Sequence, residues 1–137
     1  MTVPTYATLI NRKIVVPSPR TQYVAVDKNH FVEYLRLTLY QVYVDEDWYV
    51  HYNPDIADAI TSRIFADAKQ HYVTCGYYEH RLPYEISVDE QWYLEHYEDV
   101  GDAVEKGLFS GARDHFYIVG YREGRLPYAN FTLREVA

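Results

Sequence analysis

The amino-acid sequence predicts a mainly α protein, in which a short β arm or hairpin and a helix precede two tandem helical repeats of about 40 residues. Three observations carry this. Residues 44–84 align without a gap on residues 88–128, at a constant offset of 44. Within each copy the apolar residues recur at helical spacing between Asn, Asp, Gly and Pro. Before residue 28 they fall instead in β-branched runs. The expected organisation is an N-terminal β arm and helix over 1–43, repeat 1 over 44–84, repeat 2 over 88–128 and a C-terminal tail over 129–137.

Lys13-Ile14-Val15-Val16 and Gln22-Tyr23-Val24-Ala25-Val26 flank Pro17-Ser18-Pro19-Arg20. This reads as two short strands joined by a turn, or as one extended arm. Two strands alone are marginal in water, so the arm is expected to self-associate, making the chain a homo-oligomer through residues 1–28. Asp27 or Asn29 then caps a helix running from His30 to Val42, with Phe31, Leu35, Leu39 and Val42 on one face.

Each repeat reads as three short helices. Asp45 is an N-cap for a helix carrying Trp48, Tyr49 and Tyr52, and Asn53-Pro54 stops it and starts the next. Ile56, Ala59 and Ile60 follow at helical spacing, matched by Val100, Ala103 and Val104. A third helix is expected from near Ala66 or Ser110, ending at Gly76 or Gly120 in a left-handed residue. Arg-Leu-Pro-Tyr closes each copy in extended form, because the residue before proline avoids helical geometry. The connection from Glu85 to Ser87 is short, so the copies should pack on each other.

The chain is 48% hydrophobic and 24% charged, the composition of a folded protein, and its 16 tyrosines suit half-buried positions and interfaces. A net charge of −7 argues against nucleic acid as the partner. The single cysteine, Cys75, excludes an intrachain disulfide and a cysteine zinc site. No leader pattern and no apolar run of membrane-spanning length is present. A cytoplasmic protein without membrane insertion is therefore expected.

The second copy reads Trp92-Tyr93-Leu94, Tyr97-Glu98-Asp99-Val100, Phe109-Ser110, His115-Phe116 and Gly120-Tyr121-Arg122-Glu123-Gly124-Arg125. With Trp48-Tyr49-Val50, Asn53-Pro54-Asp55-Ile56, His71-Tyr72, Gly76, Glu79 and Arg81 in the first copy, it resembles a short tandem bacterial repeat. That repeat accompanies glycosyltransferases and other surface-polysaccharide proteins. The first copy departs from the pattern at His80 and Arg63, where the second has Gly124 and Gly107. The resemblance covers residues 44–128 and implies a helical accessory or interaction module. It carries over no functional residues.

The chemistry-bearing residues read mostly as structural. His71 and His115 occupy equivalent places, and two histidines make a poor metal site without a third ligand. The many carboxylates sit near helix starts, where capping and the helix dipole favour them. Gly120–Arg125 lacks the strand and the lysine of a phosphate loop. Hence no catalytic residue, metal ligand set or cofactor is expected. Six residues are candidates for binding: Trp48 and Trp92, Tyr77 and Tyr121 as rings, and Arg81 and Arg125 as guanidiniums. The functional expectation is a non-enzymatic interaction or assembly module. The alternatives are a carbohydrate-binding module using exposed rings, and a small enzyme built on His71, His115 and nearby carboxylates.

Overall fold

Thr5 starts the first helix: its Oγ1 accepts the Thr8 amide at 3.2 Å, and α1 runs Tyr6–Asn11. This helix lies where the sequence predicted only a β arm. Its residues include the helix formers Ala7 and Leu9, whereas the β-branched run begins only at Ile14. Lys13 ends the turn in a left-handed conformation (φ 55°), and the Ile14 amide bonds back to Leu9 O at 2.9 Å. A hairpin follows, β1 (Val15–Pro17) antiparallel to β2 (Val24–Val26), with Val15 opposite Val26 and Pro17 opposite Val24. Proline can end a strand but not continue a ladder. The next bond is the Ser18 amide to Tyr23 O at 3.3 Å.

Asp27 caps α2 (Lys28–Leu39) by accepting the His30 amide at 3.1 Å. Of the expected apolar face only Leu39 is buried within the helix, and Phe31 is 54% exposed. These elements form one compact unit, Met1–Tyr43; the second unit is Val44–Ala137. The computed structural model describes residues 4–132.

In the second unit, α3 (Glu46–Tyr52) is capped by Asp45 and α4 (Pro54–Thr61) starts on its proline. Asn53 precedes α4 without making a side-chain cap; its Nδ2 donates instead to Tyr49 O at 2.8 Å. The third helix begins at Ala68, two residues after the expected start, because Gln70 Oε1 accepts the Ala66 amide outside the helix. It runs as α5 (Ala68–His71) into a π-helical turn, π1 (Tyr72–Gly76), in which the Tyr77 amide reaches Tyr72 O at 2.8 Å. Then come α6 (Glu90–His96), α7 (Glu98–Glu105), α8 (Ala112–His115) and π2 (Phe116–Gly120). Each begins 44 residues after an element of equal length in the 44–84 segment.

The closing Arg-Leu-Pro-Tyr tails carry no regular secondary structure. Pro83 O accepts the Asp45 amide and Pro127 O accepts the Asp89 amide, both at 3.0 Å, so each tail returns to the start of its own segment. The Glu85–Ser87 connection is pinned at its centre. Tyr117 Oη accepts from the Ile86 amide (2.9 Å) and donates to Ile86 O (2.8 Å). Leu82 and Ile86 enter one cluster with Tyr93, Val100, Ala112 and Phe116, and Trp48 packs against it. Burying side chains of this size contributes about 1.5–3 kcal/mol each.

The expected left-handed residues at Gly76 and Gly120 are not there. Left-handed backbone falls at His80 (φ 61°) and Gly124 (φ 75°), and at Arg63 (φ 58°) and Gly107 (φ 74°). Gly76 and Gly120 are glycine for another reason: a Cβ at either would overlap the hydroxyl of Tyr49 or Tyr93. The fold is thus mainly α, with a two-stranded antiparallel hairpin near the N-terminus.

Candidate functional site

The most buried polar pair in each segment is a tyrosine and a histidine. Tyr49 Oη lies 2.9 Å from His71 Nδ1, and Tyr93 Oη lies 3.0 Å from His115 Nδ1. Phe65 and Phe109 set their rings edge-on to these histidines at 4.7 Å. Burial is the largest influence on all four groups: it holds both histidines below their usual pKa, pushes Tyr49 up strongly and pushes Tyr93 up to about 12. Neutral rings sharing one hydrogen bond fit a dry core. His71 and His115 therefore serve their own segments and do not meet. Among the described residues no group of three metal-ligating side chains comes together.

Arg81 and Arg125 fork onto carboxylates. Arg81 reaches Asp55 at 3.0 and 2.8 Å, Asn53 Oδ1 at 2.9 Å and Glu79 at 2.6 Å. Arg125 reaches Asp99 at 2.9 and 2.6 Å and Glu123 at 2.8 Å, and its guanidinium lies over the Tyr97 ring at 4.8 Å. Hydrogen bonding from these arginines lowers the pKa of Asp55 and Asp99. Bidentate pairs of this kind tie the closing tail to the start of α4 or α7. Both guanidiniums expected to bind a ligand are engaged within the chain.

The four candidate rings separate into two groups. Trp48 is half-buried, stacked on Tyr52 (4.9 Å, 8°) and edge-on to Tyr117 at 6.4 Å. Trp92 is half-buried and stacked on His96 at 4.6 Å. Tyr77 and Tyr121 do come together: with Tyr78 and His80 they line an open groove of about 350 Å³. Tyr77 is 38% exposed there and Tyr121 half-buried.

A second cleft, of about 180 Å³, sits where the two segments of the second unit meet. Tyr52, Asn53, Glu79, Arg81 and Leu82 line it from one side and Tyr117 and Arg122 from the other. Sequence reasoning passed over it because attention went to positions that match between the segments. The signal was in those that differ: Asn53 against Tyr97, Tyr52 against His96, His80 against Gly124, Tyr117 against Val73 and Arg122 against Tyr78.

No protein-family model matches the chain, and comparison with curated proteins and with solved structures gives no match. The resemblance to the bacterial repeat rests on its motif residues alone.

Proposed function

We propose that this chain is a non-enzymatic assembly module, built from a tandem helical repeat, whose N-terminal hairpin joins it to a second copy or to a protein partner. The observation that supports this most is the hairpin surface. All three β2 residues are exposed, and Val16 (49%), Tyr23 (72%) and Val24 (52%) present apolar side chains to solvent. A two-stranded ribbon has two unpaired edges and too little buried surface to stand alone. An added strand or an opposing apolar face supplies both. Among the described residues no helix is long and apolar enough to cross a membrane. The repeat resemblance suggests a bacterial, cytoplasmic setting accessory to surface-polysaccharide synthesis.

Light scattering tests the reading. The full chain is expected to show a concentration-dependent mass above that of one 16.2 kDa chain, and Val24→Asp to be monomeric with unchanged helical circular dichroism. A full chain that stays monomeric and binds no protein through this surface would sink the proposal.

A second reading, a carbohydrate-binding module, is supported by the groove of Tyr77, Tyr78, His80 and Tyr121, since exposed tyrosine rings offer apolar faces to a sugar. It predicts saturable shifts of the Tyr77 and Tyr121 ring protons when neutral oligosaccharides are titrated. Unmoved rings dispose of it.

A further inference from the structure

The second segment contains a template for what fits the cleft in the first. Tyr97 and Asn53 occupy equivalent places on nearly the same backbone, φ −118° and ψ 82° against φ −121° and ψ 78°. The Tyr97 ring lies beneath Arg125 at 4.8 Å and edge-on to His96 at 4.7 Å, and its hydroxyl accepts the Leu126 amide at 2.8 Å. The residues 44 earlier are Arg81, Tyr52 and Leu82, and with Asn53 all three line the 180 Å³ cleft. Asparagine does not reach as far as tyrosine. Where the second segment holds a phenol ring the first has a cleft, in which Arg81 Nη1 donates to Asn53 Oδ1 at 2.9 Å and Tyr117 stands edge-on to Tyr52 at 5.6 Å.

The hydrogen bonding shows the same difference. Leu82 is 4% exposed, yet its amide makes no hydrogen bond to any described residue, whereas the Leu126 amide is held by Tyr97. Leu82 lines the cleft, so the donor that Leu126 gives to a tyrosine hydroxyl lies at the cleft in the first segment. On the rim His80 holds a left-handed backbone (φ 61°) where the second segment has glycine. Such strain in a non-glycine residue clusters at binding sites.

We propose that this cleft is a receptor for a tyrosyl ring, and that Tyr23 of a second copy of the chain supplies it. The ring would take the place Tyr97 takes: its face under Arg81, its edge toward Tyr52, its hydroxyl accepting from the Leu82 amide. Tyr23 is 72% exposed and sits where the hairpin turn enters β2, the part of the chain assigned above to assembly. The choice of Tyr23 rests on that assembly reading; the chemistry of the cleft does not.

The test uses the full chain and p-cresol, the tyrosine side chain as a free molecule, followed by amide NMR. A saturable shift of the Leu82 amide is expected, with the Leu126 amide unmoved as the internal control. Asn53→Tyr, which fills the cleft as Tyr97 fills its counterpart, is expected to lose the Leu82 response. A Leu82 amide that stays still in Tyr23→Ser, whose cleft holds no Tyr23 of a second copy, or an equal response in a folded Asn53→Tyr, overturns the receptor. Tyr23→Ser separates the source: it should be monomeric by light scattering while keeping the full p-cresol shift. If it associates as the natural chain does, Tyr23 is not the occupant. A chain that is monomeric yet responds at Leu82 overturns the assembly half and leaves the receptor standing.

Discussion

Gly120→Ala is expected to destabilise the protein by about 3 kcal/mol, a large part of the roughly 5–15 kcal/mol that holds a domain of this size. The new methyl group would occupy the position of the Tyr93 hydroxyl, and Tyr93 is fully buried. Forcing a packed core apart costs about 1–3 kcal/mol. The displaced hydroxyl also leaves His115 Nδ1, which it meets at 3.0 Å, without its partner. A buried polar group left so costs about 1–3 kcal/mol more. Gly76→Ala should behave alike through Tyr49. Urea unfolding followed by tryptophan fluorescence measures both. Gly101→Ala is the control: nothing lies within 4 Å of its Cβ and it sits inside α7, so a gain of about 0.5–1 kcal/mol is expected. The mechanism also makes a claim about pairs. Tyr93→Phe removes the obstructing atom, so Tyr93→Phe with Gly120→Ala should cost clearly less than the sum of the two single changes. Strict additivity would show that the overlap is not the cause.

The same glycines show where sequence reading succeeds and stops. Their retention in both segments marked them as constrained. The spacing after a helix suggested a left-handed ending, a local explanation. The actual constraint is a hydroxyl arriving from a residue 27 positions earlier, as Tyr93 is from Gly120, and a single sequence does not display such a neighbour. The left-handed sites of the first segment fall instead at His80 and Arg63, two of the four places where it departs from a glycine of the second; Ala57 and Asp67 are the others, and glycine exchange alone does not tell the two kinds apart. Caps written in local code were legible: Asp27, Asp45 and Asp89 each accept the amide three residues on. Helix α1 was missed because a six-residue helix has too little periodicity to compete with an adjacent β-branched run. Arg81 and Arg125 were legible as guanidiniums that would find acceptors, but not that those acceptors are Asp55 and Asp99 of their own segments. The cleft beside Arg81 was not, because an opening created by a shorter side chain leaves no motif.

Lowering the pH below about 6.5 is expected to destabilise the fold well before its carboxylates titrate, through His71 and His115. Both are nearly inaccessible, at 3% and 5% exposure, and burial depresses both pKa values. An unfolded histidine titrates near 6.5, so between that value and the folded one the unfolded chain binds more protons. Stability therefore rises with pH across this window, is fully present above about pH 6.5 and is lost on acidification. The steepest slope for two such groups is about 2.7 kcal/mol per pH unit. Asp55 and Asp99, held below the usual carboxylate range by hydrogen bonds from Arg81 and Arg125, add their own loss only at lower pH. Burial is the first cause at both histidines, and each also feels charges of both signs, Glu79 and Arg81 at His71, Arg125 and Glu123 at His115. In urea unfolding repeated from about pH 7.5 to about pH 4.5, His115→Gln and His71→Gln should each flatten the slope. Glutamine keeps an oxygen for the tyrosine hydroxyl but takes up no proton. Stability that stays level across this range would mean that the Tyr–His pairs accept a proton within the folded core, the opposite of what their burial implies.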